Sequence, residues 1–140
     1  MPYRHAPTEQ IVLAALESYL KSDPDVAFPE LDAAERQVAT RFRAVPLFRN
    51  TFETLFLCTT GAFIAWSSDP PAPSDEVRVL DANALDITFL LATGAQRHPA
   101  LAQLLPPRPA RAADCYSCGG AGYRRATGPC LVCKGLGWTR

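Results

Sequence analysis

The spacing of apolar residues changes period along the chain, and each change predicts an element. Thr8, an N-cap residue type, opens a stretch through Lys21 in which Val12, Ala15, Leu16, Tyr19 and Leu20 recur at helical spacing, while Glu9 and Glu17 are left for water. Pro24 stops this helix. Asp32-Ala33-Ala34-Glu35 resembles a capping box and announces a second helix, whose apolar stripe is Ala34, Val38 and Phe42. Glu35, Arg36, Arg41 and Arg43 fall off the stripe, and a solvated surface is expected for them in preference to an anion-binding face. Pro46 ends this helix.

From Thr51 the period becomes two. Phe52, Thr54, Phe56 and Cys58 share one face of a strand, and Glu53, Leu55, Leu57 and Thr59 share the other. Thr60-Gly61 supplies a turn, and Ala62 to Trp66 runs back as a hairpin. Apolar residues on both faces predict a sheet covered by the helices, with Trp66 in the core rather than serving as a ligand platform. Ser67 to Ser74 is proline-rich and reads as loop, and Glu76 to Leu80 as a third strand. Asp81 to Asn83 can cap a helix carrying Leu85, Phe89, Leu90 and Ala92. Ile87 to Leu91 would also serve as a strand; length favours the helix, and Gly94 counts against it. A short helix is expected from Pro99 to Leu105. Pro106-Pro107-Arg108-Pro109 is a stiff spacer that holds the C-terminal residues away from the main domain or against a fixed part of its surface. The expected organisation is an α+β domain of helices and antiparallel sheet over residues 1–105, a proline-rich linker over 106–114, and a distinct module over 115–140.

That module carries the clearest chemistry. Cys115-Tyr116-Ser117-Cys118-Gly119-Gly120-Ala121-Gly122 and Cys130-Leu131-Val132-Cys133-Lys134-Gly135-Leu136-Gly137 share the pattern Cys-x-x-Cys-x-Gly-x-Gly. Two residues between cysteines allow a tight turn to aim both sulfurs at one point, and two such turns supply the four thiolates of a tetrahedral zinc site. The doubled pattern resembles the cysteine-rich zinc module of DnaJ-type chaperones, which has four repeats and two zinc ions. Two repeats imply one zinc per chain, held by Cys115, Cys118, Cys130 and Cys133. The His-Pro-Asp tripeptide of a J-domain is missing, since Ala100 follows His98-Pro99. ATPase stimulation is therefore not implied. Modules of this kind also resemble small assembly chaperones and a zinc protein that masks an RNA-binding regulator, so the resemblance implies protein binding without catalysis. The order of helices and hairpin in the first domain is similar to small bacterial α+β domains, including some immunity proteins.

Formal net charge is zero, but residues 1–105 hold 8 Lys/Arg against 13 Asp/Glu and residues 106–140 hold 6 against 1. The tail is thus basic before four thiolates on zinc offset part of it. Twelve of the basic residues are Arg and 2 are Lys, a composition that suggests a genome rich in G and C. The N-terminal stretch leads into no signal peptide and no run is long enough to span a bilayer, so a cytoplasmic protein with no membrane partner is expected. The fifth cysteine, Cys58, sits among Leu55, Phe56, Leu57 and Ile64 and reads as a small hydrophobe.

Three functions can use these parts. The leading expectation is a non-catalytic zinc protein, chaperone-like or regulatory, that binds another protein through Tyr123, Arg124, Arg125, Leu131, Leu136 and Trp138, with Val132 beside them. An RNA-binding regulator would use Tyr123, Arg124, Arg125, Lys134 and Arg140 of the basic tail. A thiol-disulfide oxidoreductase would cycle the two Cys-x-x-Cys pairs. No catalytic residues are predicted, because four cysteines close the zinc sphere and His5 and His98 lie near no nucleophile in sequence.

Overall fold

A computed structural model describes residues 8–23, 29–105, 108–124 and 128–139, with backbone alone at 123, 124, 128 and 129. In chain order the elements are α1 (Thr8–Lys21), α2 (Pro29–Phe42), β1 (Ala44–Arg49), β2 (Glu53–Cys58), β3 (Phe63–Ser67), β4 (Val77–Val79) and α3 (Ile87–Arg97). Short 3-10 turns at Ala82–Ala84 and Pro99–Leu104 flank α3. The tail adds β5 (Ala113–Asp114), β6 (Tyr123–Arg124), β7 (Gly128–Pro129) and β8 (Trp138–Thr139).

The architecture is α+β, with an antiparallel meander in the order β1-β2-β3-β4. The expected hairpin forms, pairing Phe56 with Ile64 and Thr54 with Trp66. Val12, Val38, Val45, Leu47, Phe56, Trp66 and Leu101 are fully buried at the centre. Each side chain of this size gives about 1.5–3 kcal/mol on leaving water. The Trp66 indole N–H donates to the Ala72 carbonyl at 3.1 Å, so the core accepts its polar edge. Cys58 is buried, and burial pushes its thiol above the ordinary range, as suits an inert packing residue. Phe52, expected on a strand face, is instead 71% exposed. It lies in a turn where Asn50 Oδ1 accepts from the Phe52 and Glu53 amides, both at 2.8 Å.

Three expectations about the second helix are corrected. Asp32 and Glu35 do not form a capping box. The helix begins at Pro29, whose missing N–H is harmless in a first turn, so both carboxylates lie inside it on one face. Nor is Glu35 solvated: it is fully buried and accepts four hydrogen bonds. Tyr19 Oη donates at 2.8 Å, Arg49 donates twice at 3.2 and 2.8 Å, and Arg97 donates at 3.2 Å. Asp32, 4% exposed, accepts from Arg49 at 2.8 Å. The helix also ends before Pro46. Arg43 turns the chain with φ 49°, and Pro46 lies within β1, paired with Phe56. Proline is tolerated there because β1 is an edge strand with a register shift between Pro46 and Phe48.

α3 resolves the helix-or-strand ambiguity in favour of helix. Asp86 caps it by accepting from the Phe89 amide at 3.3 Å, five residues later than Asp81. Asp81 instead accepts from the Asn83 amide at 2.9 Å in the preceding 3-10 turn. Gly94 is present for packing, since a Cβ there would overlap the Leu47 side chain and come 3.2 Å from Leu101 Cδ1. No helix among the described residues is long and apolar enough to cross a membrane.

Candidate metal centre

The two repeats fold as two equivalent turns. Within each, the last glycine amide donates to the sulfur of the second cysteine: Gly122 to Cys118 Sγ at 3.2 Å and Gly137 to Cys133 Sγ at 3.1 Å. Between them, the first cysteine amide of one repeat donates to the last glycine carbonyl of the other. Cys130 reaches Gly122 at 3.0 Å and Cys115 reaches Gly137 at 2.9 Å. A sequence repeat has thus become a pseudo-twofold unit in which each half completes the backbone bonding of its partner. The antiparallel pairs β5–β8 and β6–β7 complete the module, with Asp114 opposite Trp138 and Tyr123 opposite Pro129.

Glycine is required where the halves meet. Gly122 and Gly137 have φ of 83° and 87°, a region costly to residues with a Cβ. A Cβ on Gly122 would lie 2.7 Å from the Gly135 carbonyl oxygen, and one on Gly137 would lie 2.6 Å from that of Gly120. Both obstacles are backbone and cannot rotate away.

This packing gathers the four sulfurs. Cys115, Cys118, Cys130 and Cys133 place Sγ atoms within 4.8 Å of one another, with Cys115–Cys130 and Cys118–Cys133 each at 3.8 Å. A tetrahedral ion with metal–sulfur bonds of about 2.3 Å requires sulfurs about 3.8 Å apart. The cluster therefore fits one metal ion and is consistent with zinc. Its electrostatics suit a cation. The backbone amides of Cys133 and Val132 hold Cys130 down to about 6, against its burial. Burial raises Cys118, but the Gly122 and Gly120 amides outweigh it and lower this thiol overall. Burial pushes Cys133 up to about 11, opposed by the Gly137 amide. Four thiols so close cannot all ionise alone; a divalent ion removes that penalty and fixes four thiolates.

The module is seated on the main domain. Lys134 Nζ lies 3.3 Å from Asp86 Oδ2 at the start of α3, and a Cβ on Gly135 would lie 2.9 Å from Ala92 Cβ. Arg108 in the joint pairs with Asp114 at 3.0 Å. Of the two placements open to a stiff joint, the second, against a fixed surface, is the one found.

Leu131 is 78% exposed and Val132 47% exposed, whereas Leu136 and Trp138 are half-buried. Tyr123 and Arg124 lie in β6, but their side chains, and Arg125 and Arg140 entirely, fall outside the described residues. Sequence reasoning passed over Tyr116, which is 85% exposed. Its signal was available: Tyr116 occupies the same place in the first repeat as Leu131 in the second. Comparison with known proteins adds no relative. No family model, curated protein or solved structure matches the chain. The likeness to the DnaJ-type module accordingly rests on the repeated motif alone.

Proposed function

We propose that this chain is a non-catalytic zinc protein whose DnaJ-like tail, loaded with one zinc ion, presents a surface that binds another protein in a chaperone-like or regulatory role. The observation that carries the reading is the four-sulfur cluster, whose cysteines would fill all four positions of a tetrahedral ion and leave none for water or substrate. All four sulfurs lie within 4.8 Å of one another, across the repeats as well as within them, which supports a shared metal ion over two separate Cys-x-x-Cys redox pairs. The all-thiolate set favours a soft, tetrahedral ion, which supports zinc. With the sulfurs committed to the metal, the tips of the turns are left to make contacts. Tyr116 and Leu131 expose large apolar surfaces at equivalent positions, the kind of anchor that enters a partner's pocket.

The test combines native mass spectrometry with partner capture. One zinc per chain, lost on chelation, is expected. A partner should be retained by the zinc-loaded protein and lost both on chelation and in a Tyr116→Ser/Leu131→Ser variant that still holds zinc. Zinc-free protein with cysteines paired within each repeat would overturn the metal assignment. A partner indifferent to both perturbations would overturn the role of the tail.

A further inference from the structure

A second concentration of chemistry lies in the main domain, where α1, α2 and the corner after α3 enclose a cavity of about 550 Å³. Its volume is that of a small-molecule pocket. The buried carboxylates Asp32 and Glu35 line it, but their charge is already answered by Arg49 and Arg97. A third arginine, Arg36, also lines it and, among the described residues, donates to the Leu20 and Ser22 backbone carbonyls and the Ser22 hydroxyl. No carboxylate answers Arg36 among the described residues.

Arg36 and Arg97 converge on one ring, with their guanidinium carbons 4.9 and 5.8 Å from the Tyr19 ring centre. The Arg97 side chain is 38% exposed and spends only one long bond, 3.2 Å, on Glu35. Each guanidinium carries five N–H donors, more than these bonds to described residues use. The bonds to Leu20 and Ser22 tie Arg36 to the C-terminal end of α1 and hold its guanidinium at the cavity. His98 closes the same cavity. Its Nε2 lies 2.7 Å from the Pro46 carbonyl, which can only accept, so Nε2 carries the proton and Nδ1 is an acceptor. Ala15, Pro99 and Ala100 supply an apolar wall.

We propose that this cavity binds a small organic molecule bearing one carboxylate or phosphate, with the oxyanion on Arg36 and Arg97 and the carbon body against Ala15 and Pro99. Planar guanidinium groups match the paired oxygens of either anion. The first 105 residues carry excess acid, which disfavours a long polyanion such as nucleic acid more than a ligand with a single oxyanion held between Arg36 and Arg97. The site is independent of the zinc module and of the protein-binding role proposed for it.

The experiment is an NMR titration of the full zinc-loaded chain with phenyl phosphate, benzoate and inorganic phosphate, read at His98, Tyr19 and the arginine side chains. Saturable one-to-one binding of phenyl phosphate or benzoate is expected, with inorganic phosphate about tenfold weaker or more because it lacks the body. Arg36→Gln leaves the pairing of Glu35 intact and should weaken binding by about tenfold or more, whereas Arg78→Gln, outside the cavity, should not change it. Should Arg36→Gln fail to fold, Arg97→Lys tests the same point: it keeps the charge, loses the planar fork and should weaken binding several-fold. Absence of saturable shifts with either organic probe at millimolar concentration overturns the site. Binding that neither arginine change affects does so as well, and equal affinity for inorganic phosphate overturns the apolar half of the proposal.

Discussion

Replacing the last glycine of a repeat tests whether the two turns are as interdependent as their packing requires. In Gly137→Ala the new Cβ meets the Gly120 carbonyl oxygen at 2.6 Å, and φ stays near 87° if the Gly137 amide is to keep its bond to Cys133 Sγ. Positive φ costs a residue with a Cβ about 1–2 kcal/mol. Displacing packed backbone adds about 1–3 kcal/mol. Because metal binding and folding of such a small module are one event, the whole penalty of about 2–5 kcal/mol should appear in zinc affinity, weakening it roughly 30-fold to several-thousand-fold. Gly119→Ala is the internal control, with φ 67° and nothing within 4 Å of the added methyl. Lys134 occupies the equivalent place in the other repeat at φ 57°, so a side chain is tolerated there. Competition against a chromophoric zinc chelator should therefore place Gly137→Ala weaker than Gly119→Ala by the clash alone, about 5- to 150-fold. Equal affinities for the two variants would refute the argument that close backbone approach is why glycine ends each repeat.

Glu35→Ala should destabilise the fold by about 3–5 kcal/mol in urea unfolding, since it strips Arg49, Arg97 and Tyr19 of a shared buried acceptor. A loss below about 1 kcal/mol, the worth of an exposed pair, would show the cluster to be solvated. Gly94→Ala gains about 1 kcal/mol of helix propensity but forces Leu47 aside at about 1–3 kcal/mol, so net destabilisation is expected and clear stabilisation would contradict the packing. Burial, with Arg97, holds His98 below its ordinary 6.5 against the opposing pull of the Pro46 carbonyl and Glu35. The unfolded chain therefore binds the proton first, and stability should fall as pH drops below about 6.5. His98→Gln should flatten that part of the pH–stability curve, and an unchanged slope would reject the assignment. Chelation should speed amide exchange in α3 near Ala92 as well as in the tail, because Gly135 packs on Ala92 and Lys134 pairs with Asp86. Exchange that changes in the tail alone would show that this seating transmits nothing.

What could be read from the sequence was local. α1, the β2–β3 hairpin and the four-cysteine centre each depend on residues close in the chain, through helical period, alternation with a turn, or cysteines two residues apart. The α3 start was blurred because Asp81 and Asp86 are both sound caps, and the folded chain uses Asp86 with Gly94 packed on Leu47. β1 escaped notice because Pro46 signals a break locally and is acceptable only at a sheet edge, a position defined by the neighbouring strands. The charged cavity was illegible for the same physical reason. Asp32 and Glu35 have the spacing of a cap, and what makes them buried acceptors is Arg49, 14 residues from Glu35, together with Arg97, 62 residues from it. Short-range pattern determined most of the elements and the four cysteines of the candidate metal centre. Tertiary packing alone decided which charges left water, because the energy of a buried charge depends on partners that folding brings from elsewhere in the chain.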